Sequence, residues 1–261
     1  MFNALVVLYN KKCENSITLT KLLEYKEKLN IIIFDNSTNS DYINNNKEFS
    51  EKYKIKYYSQ NKNIGLSKAY NYIIKRKDIL TGDYIIILDD DTILTDSYFQ
   101  ELFSLDISKF DIVLPKVISN DSMISPCKVI NDCRICKINL EEKINQYKLS
   151  AINSGMIIKL SVYDQMLYNE ELFLDYVDHD FMRQIRKNNS EIFVMNSSIF
   201  QNFSRDQVNS IDSEIFRFKI FKKDYKKYCL NCGKRFFYYL SITRYKIKKC
   251  IKYKTLKFLW L

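Results

Sequence analysis

The sequence predicts an α/β protein with a mostly parallel central sheet flanked by helices. From residue 4 to residue 91, short apolar runs typical of buried strands alternate with amphipathic segments. The run Tyr84–Leu88 leads directly into three aspartates, Asp89–Asp91. An unbroken apolar run indicates a strand buried on both faces, and open parallel sheets place their ligands at the carboxyl ends of such strands.

Four strands and three helices are predicted in alternation before these aspartates. The strands are Ala4–Tyr9, Ile31–Phe34, Ile55–Tyr58 and the run that ends at Leu88. The first helix begins after an N-cap at Asn15 or Ser16. The second runs from about Asp41 to Tyr53, and the third from Leu66 to Lys77. This alternation implies parallel strands joined by right-handed crossovers.

The later elements are less regular. We predict a helix at Ser97–Phe103, strands at Ile112–Val117, Ala151–Ile158 and Ile192–Val194, and a helix from Tyr176 to about Lys187. Residues 119–148 are polar and lack periodicity, so we expect an excursion over the sheet. Residues 204–213 have the composition of a linker.

The chain divides into a domain at 1–204 and a basic helical tail at 205–261. From Glu214 to Leu261 there are 15 Lys and Arg against 2 Asp and Glu, whereas the preceding 213 residues carry 26 against 29. This asymmetry predicts an anionic partner for the tail. Apolar runs are too short to cross a bilayer, and no charged leader precedes Ala4, so we expect a cytoplasmic protein.

The tail has one apolar side if it forms a helix. That side carries Leu240, Ile247, Ile251 and Phe258, with Lys246, Lys249 and Lys257 roughly opposite. The pattern predicts peripheral attachment to the anionic inner face of the cell membrane. The alternatives are a basic extension packed on the domain and, less in keeping with the pattern, a nucleic-acid-binding adaptor. No nucleic-acid partner is expected.

Seven cysteines, an odd number, predict reduced thiols instead of a disulfide framework. Two CxxC pairs, Cys133/Cys136 and Cys229/Cys232, together offer four thiolates to zinc. They lie far apart in different predicted parts of the chain, so ordinary buried thiols are the simpler interpretation.

The three consecutive aspartates indicate a cation site. Carboxylates at one point repel each other and are costly to desolvate unpaired, and oxygen ligands suit Mg²⁺ or Mn²⁺ bridging to substrate phosphates. The alternative is a solvated acidic turn before a helix capped by Thr92 or Thr95.

Other polar groups follow neighbouring strands at the same predicted edge. Asn10, Asp35 and the Asn61–Gly65 loop each come directly after a strand, which favours nucleotide binding, although each is also an ordinary turn former. A second acidic cluster, Asp175, Asp178 and Asp180, lies at a predicted helix N-terminus. One of these acids can act as a general base, or the acids can simply stabilise the positive end of the helix dipole. Arg183, one turn after Asp180, is spaced to pair with Asp180 or to reach a phosphate.

These pieces, taken together, resemble the inverting family 2 glycosyltransferases of the GT-A fold, a Rossmann-like nucleotide-diphospho-sugar transferase architecture, and in particular their rhamnosyltransferase-like branch. The matching segments occur in the family's order: Val6–Asn10, Phe34–Ser37, Asn61–Asn71, Leu88–Thr92, Asn153–Met156, and Leu172–Phe181 continuing to Arg183.

The resemblance implies roles for individual residues. Asp89 and Asp91 match the pair that binds Mg²⁺ or Mn²⁺, and Asp178 matches the catalytic base. The implied nucleotide-sugar-binding residues are Tyr9, Asn10, Asp35, Asn36, Asn63, Gly65, Asn71, Asp90, Ser154, Gly155, Asp180 and Arg183. Many relatives carry a metal-site histidine where this chain reads Ile199–Phe203, so Gln201 or a water takes its place, or the metal binds more weakly.

The implied reaction is a single displacement with inversion. The donor is dTDP-rhamnose or a UDP-sugar, and the acceptor is a lipid-linked or oligosaccharide hydroxyl in bacterial surface polysaccharide synthesis. The alternative function for the same predicted fold is a sugar-phosphate nucleotidyltransferase. Such an enzyme needs a glycine-rich phosphate-binding loop early in the chain, and residues 8–16 contain no glycine.

Overall fold

A computed structural model describes residues 1–131, 133–138, 145–201 and 210–261. The strands are β1 (Phe2–Leu8), β2 (Leu29–Asp35), β3 (Lys56–Ser59), β4 (Tyr84–Asp89), β5 (Thr92–Ile93), β6 (Ile112–Ser119), β7 (Ser122–Ser125), β8 (Cys127–Ile130), β9 (Arg134–Cys136), β10 (Leu149–Ser150), β11 (Met156–Lys159) and β12 (Ile192–Gln201). The α-helices are α1 (Ile17–Leu23), α2 (Ser40–Tyr53), α3 (Leu66–Ile74), α4 (Asp96–Ser104), α5 (Val177–Lys187), α6 (Ile211–Asn231) and α7 (Arg235–Tyr253).

The main sheet has the strand order β3-β2-β1-β4-β11-β6-β12-β5, and β7 pairs with β6. β1 is parallel to both β2 and β4, and β2 is parallel to β3. β11 runs antiparallel to β4 and β6, whereas β12 is parallel to β6. The predicted mixed, mainly parallel α/β architecture is therefore confirmed, and the carboxyl ends of β1, β2, β3 and β4 share one edge.

Residues 119–148 contain more regular structure than their composition suggests. β7 joins the main sheet, while β8 pairs with β9 and β10 in a separate three-stranded antiparallel sheet. In β7 and β8 only alternate residues are buried, such as Cys127 and Val129 of β8, so these strands lack the continuous apolar run of a strand buried on both faces.

The parallel strands are apolar throughout because they bury both faces. In β1, Leu5 and Val7 pack into the core on one side of the sheet, and Ala4, Val6 and Leu8 pack into the core on the other. Helix ends follow ordinary capping: the hydroxyl of Ser16 accepts the backbone N–H of Leu19 and starts α1. The continuous apolar pattern thus follows from a sheet covered on both faces.

The C-terminal helices pack on this sheet. Phe218, Tyr225 and Tyr228 of α6 belong to the same buried cluster as Leu5 and Val7 of β1. The predicted boundary between the domain and the tail, at residues 204 and 205, lies outside the described residues and stays a prediction. Residues 204–209 of the predicted linker lie outside them as well. No described helix has both the length and the apolar character needed to cross a membrane.

One residue of the predicted apolar side of the tail is misplaced. Phe258 is 0 % exposed and packs against Phe218 and Tyr253, with ring centroids 5.7 Å from each. α7 ends at Tyr253 because Lys254 adopts a left-handed backbone conformation, with φ of 49°. The chain therefore turns back, and the helical spacing that placed Phe258 beside Ile251 does not continue.

Candidate active site

A cavity of about 720 Å³ opens beside the carboxyl end of β4. Its lining combines acids with aromatic rings and polar groups from distant parts of the chain. Among the residues that line it are Asp89, Tyr70, Asn153, Asp175, Asp178, His179, Gln201, Arg217, Tyr225 and Tyr245. The metal-site and base aspartates predicted from the sequence, Asp89 and Asp178, therefore share one cavity.

The aspartate turn after β4 is held by the start of α1. The hydroxyls of Ser16 and Thr18 donate to the backbone carbonyls of Asp90 and Asp89, each at 2.7 Å. Asp90 turns away to pair with Lys11, whose Nζ lies 3.2 Å from Asp90 Oδ1. Asp89 and Asp91 are left to face Gln201.

Gln201 closes the carboxylate pair at the end of β12. Its Nε2 donates to Asp89 Oδ2 at 2.9 Å and lies 3.4 Å from Asp91 Oδ1. Ser154 Oγ lies 2.6 Å from Asp89 Oδ2 and 2.8 Å from Gln201 Oε1, yet its single proton satisfies only one of these acceptors. Turning the amide over makes Nε2 a donor to Ser154 and directs Oε1 toward the aspartates, which is the orientation a cation ligand needs.

The electrostatics of this turn suit a divalent cation. Burial, followed by the charges of Asp89 and Asp90, raises the pKa of Asp91 to about 6. Burial also raises the pKa of Asp90, opposed by Lys11. The described residues hold no group of three or more His, Cys, Asp or Glu side chains that could bind a metal. The oxygen-bearing groups that meet at this turn are the carboxylates of Asp89 and Asp91 and the amide of Gln201. That set fits Mg²⁺ or Mn²⁺, which fill their remaining positions with water and substrate phosphates.

The predicted base-binding aspartate lies deep below the sheet edge. Asp35 is fully buried, and its carboxylate accepts hydrogen bonds from the Ser37 backbone, Asn46 Nδ2 and Tyr57 Oη, each at 2.8 Å. Three donors leave about one of its four lone-pair positions. Any contact from Asp35 to a nucleotide is therefore restricted to a single hydrogen bond.

The turns after β1 and β2 are tied together. Asn10, in a left-handed conformation, accepts the backbone N–H of Thr38 at 3.0 Å through Oδ1. Asn36 Oδ1 accepts the N–H of Ile64 at 3.1 Å, and its Nδ2 donates to the Gly65 carbonyl at 3.3 Å. Tyr9, beside Asn10, is exposed. The structure thus brings Asn10, Asn36 and Gly65 together at the carboxyl edge of the sheet, and none of them is among the described residues that line the cavity.

The loop before α3 docks on the segment that leads to α5. Asn63 Oδ1 accepts the N–H of Gly65, and the N–H of Leu66 donates to the Phe173 carbonyl at 2.7 Å. Gly65 has φ of 85°, and a Cβ there would lie 2.7 Å from the Phe173 ring. Only glycine permits this close approach. Gly65 therefore serves the packing of the loop against Phe173, in addition to the nucleotide contact predicted for it.

Asp178 is the second residue of α5 and its carboxyl accepts the backbone N–H of His179 at 2.7 Å. Burial raises the pKa of Asp178, and the nearby charges of Asp89 and Asp175 raise it further, whereas His179 lowers it. A carboxylate with a raised pKa in a cavity is suited to take a proton from a substrate hydroxyl.

Three predicted binding residues have structural partners instead. Asn71 is buried and bonds the backbone of Tyr168 through both amide atoms, at 2.8 and 3.0 Å. Asp180 is paired with Arg183, whose Nε and Nη2 lie 3.0 and 2.9 Å from Asp180 Oδ1. None of the three is among the described residues that line the cavity. Gly155 likewise packs closely, since a Cβ there would lie 2.6 Å from Ile199.

Sequence reasoning missed the residues that hold the base-bearing segment. Asp224 of α6 is fully buried and accepts the backbone N–H groups of Phe173, Leu174 and Asp175 at 3.1, 2.8 and 2.9 Å. Arg217 forms a bidentate pair with Asp175, with Nη2 2.8 Å from Oδ1. One signal was available: Asp224 is one of only two acids in the basic stretch from residue 214 onward.

Tyr70 was also overlooked. Its side chain is fully buried in α3 and lines the cavity. Burial raises the pKa of its hydroxyl well above the ordinary value, and Asn153 lies close enough to lower it in part. Tyr70 is therefore part of the cavity wall.

The fold is similar to that of several solved proteins. A mannosyltransferase, PcManGT from Pyrobaculum calidifontis, solved with GDP-Man and Mn²⁺, gives a TM-score of 0.59 at 11 % identity, covering 87 % of this chain and 63 % of that one. Residues 1–349 of S. aureus TarS give 0.55 at 16 % identity, covering 93 % and 72 %. The same TarS region with UDP-GlcNAc gives 0.54 at 19 % identity, covering 85 % and 64 %.

These identities are low, and the likeness is one of fold. Against the longer TarS chain, this protein spans 43 % of the length. Comparison with curated proteins finds no match. The family model for Glycosyl transferase family 2, however, matches residues 4–165, which is more than half of the sequence. The chain belongs to glycosyl transferase family 2.

Proposed function

We propose that this protein is an inverting, divalent-cation-dependent glycosyltransferase that moves a sugar from a nucleoside diphosphate to an acceptor hydroxyl. The observation that carries the proposal is the shared cavity, which is lined by Asp89 and Gln201 on one side of the proposed reaction and by Asp178 on the other. A site that binds a diphosphate and deprotonates an attacking hydroxyl needs its cation-binding groups and its base close enough to contact the same bound substrates.

Asp178 acts as the base in this proposal. It takes the proton of the acceptor hydroxyl as the oxygen attacks the anomeric carbon, and the bond to the diphosphate oxygen breaks on the opposite face. Asp89, Asp91 and Gln201 are the residues that would hold a divalent cation, which when bound would neutralise charge on the diphosphate. No covalent enzyme intermediate is required.

The donor is proposed to be dTDP-rhamnose or a UDP-sugar. Support for the class comes from TarS, solved with UDP-GlcNAc, and PcManGT, solved with GDP-Man. The acceptor is proposed to be a lipid-linked or oligosaccharide hydroxyl of a bacterial surface polysaccharide. Tyr225, Phe237 and Tyr245 from α6 and α7 line the cavity and offer aromatic faces to such an acceptor.

The test is a panel of nucleotide sugars with Mg²⁺ or Mn²⁺, read by released nucleoside diphosphate. We expect turnover with one donor, and we expect Asp89→Asn to lower it by about a hundredfold or more because diphosphate charge is no longer neutralised. Asp83→Asn, an exposed aspartate at the other end of β4, is the matched control. Metal-independent turnover, or full activity in Asp89→Asn, contradicts the proposed site.

We further propose that the protein lies at the inner face of the cell membrane through α7. Phe236, Leu240, Ile247 and Ile251 recur on one side of the helix and are 75, 54, 47 and 71 % exposed, and Trp260 beyond the helix is 88 % exposed. Lysines such as Lys248 and Lys252 flank this stripe. Apolar side chains surrounded by cations suit an anionic bilayer surface.

Liposome flotation tests this attachment. Ile251→Ser should weaken binding to vesicles containing phosphatidylglycerol several-fold, because one exposed apolar side chain no longer enters the interface. Tyr147→Ser is the control, since Tyr147 is also 71 % exposed but lies outside the C-terminal helices. Equal flotation of the wild type and Ile251→Ser refutes the surface.

A further inference from the structure

Two thiols, one from each CxxC pair, meet beside the cavity. Cys133 Sγ lies 3.4 Å from Cys229 Sγ, although the residues are 96 positions apart in the chain. Cys232, which caps the end of α6, packs partly buried against the apolar cluster that contains both of these cysteines. Cys133 and Cys229 are buried, and Cys133 lines the cavity wall. The fold has therefore joined two motifs that the sequence separates.

The geometry suits a covalent link between Cys133 and Cys229. A disulfide has an S–S length near 2.0 Å, so the sulfurs need to close by about 1.4 Å. In the thiol pair Cys133 donates its proton toward Cys229. This hydrogen bond lowers the pKa of Cys229, against the effect of burial, and raises that of Cys133 to about 12. These directions favour Cys229 over Cys133 as the attacking thiol.

Metal binding is the competing chemistry for clustered thiols. Zinc needs four ligands around one point, with sulfur about 2.3 Å from the metal. In the described residues no set of three or more Cys, His, Asp or Glu side chains is arranged to hold a metal. The contact is instead between two sulfurs, which favours a redox pair.

We propose that Cys133 and Cys229 form a peroxide-responsive dithiol site that closes to a disulfide. Hydrogen peroxide, close to water in size, enters at the cavity wall that Cys133 lines, and Cys229 lies behind that wall with its sulfur 3.4 Å from Cys133 Sγ. The Cys229 sulfur attacks one peroxide oxygen and the O–O bond breaks, which leaves a sulfenic acid and, with the Cys229 proton, one water. The Cys133 sulfur then attacks the Cys229 sulfur, the S–O bond breaks, and the hydroxyl leaves as a second water with the Cys133 proton. Two thiols lose two electrons, and one peroxide gains them.

The link would join two walls of the cavity. Arg134 and Ile135, beside Cys133, line one wall, and Arg217 and Tyr225 of α6 line the other. Because α6 also holds the segment that bears Asp178, the disulfide fixes the base-bearing side to the small sheet. Closing so long a loop also restricts the unfolded chain.

The experiment uses the full chain, reduced, freed of reductant, and treated with one equivalent of hydrogen peroxide. We expect two of the seven thiols to disappear, a dithiothreitol-sensitive peptide pair containing Cys133 and Cys229, and a Tm several degrees higher. Cys229→Ser should abolish the crosslink, whereas Cys250→Ser, on α7, should keep it.

Three results would overturn the inference. These are a crosslink between another pair, no thiol loss until the protein unfolds, and purified protein that carries about one zinc per chain and releases it when the thiols are modified. Should Cys229→Ser fail to fold, peptide mapping of the wild type decides between the outcomes alone.

Discussion

Asp178→Asn should lower kcat for sugar transfer by about a hundred- to ten-thousandfold, because the amide cannot take the acceptor proton. The substitution keeps an oxygen that accepts the His179 N–H, so the start of α5 should be preserved. Thermal shift with nucleoside diphosphate should show donor binding close to that of the wild type. Steady-state kinetics with the donor found in the nucleotide-sugar panel provide the measurement.

A matched control separates catalysis from helix capping. Asp96 lies in the first turn of α4, as Asp178 lies in that of α5, and it sits outside the cavity. Asp96→Asn therefore removes a similar favourable charge near a helix N-terminus without touching the proposed chemistry. Similar losses of kcat in the two variants would mean that Asp178 only supports its helix.

The pH dependence of activity provides a second test of Asp178 as the base. Burial raises the pKa of Asp178, and a general base works only when deprotonated. Activity should therefore fall as pH decreases through this raised pKa, at a pH above the value near 4 of an ordinary aspartate. The acid limb of kcat/KM should be lost in the residual activity of Asp178→Asn. An unchanged limb in that variant would assign it to another group.

Asp224→Asn should damage both stability and catalysis, although Asp224 lies in the basic C-terminal region. Its carboxylate accepts three backbone N–H groups while fully buried, and an amide presents only one oxygen and adds two donors. We expect a loss of about 2–4 kcal/mol in the free energy of unfolding, or a Tm lower by roughly 5–10 °C. The measurement is calorimetry with and without nucleoside diphosphate.

The catalytic effect is measured well below that Tm. We expect kcat to fall about tenfold or more, because residues 173–175 no longer hold Asp178 in place, while KM for the donor changes little. Asp212→Asn, an exposed acid in the first turn of the same helix, should leave both properties unchanged. Normal Tm and kcat in Asp224→Asn would show that α6 does not position the base.

Local patterns predicted the sheet well because buried parallel strands are apolar on both faces. The run before Asp89 therefore indicated both a strand and the end at which its acids would lie, and the structure confirms that strand as β4. The missing family histidine pointed to Gln201, and the structure places Gln201 beside Asp89 and Asp91. The helical spacing of the tail failed at Phe258, since a periodic pattern assumes one continuous helix.

The amino-acid sequence by itself determined the α/β class, the family and the acids at the carboxyl ends of the strands, because these depend on periodicity and on residues close in the chain. Tertiary structure alone decided that Asp224 holds the segment before Asp178, that Asp35 is nearly saturated with donors, and that Cys133 touches Cys229. Each of these contacts joins residues that are distant in the chain. Their meeting depends on how α2, α6 and the small sheet pack on the core, and no local pattern records that packing.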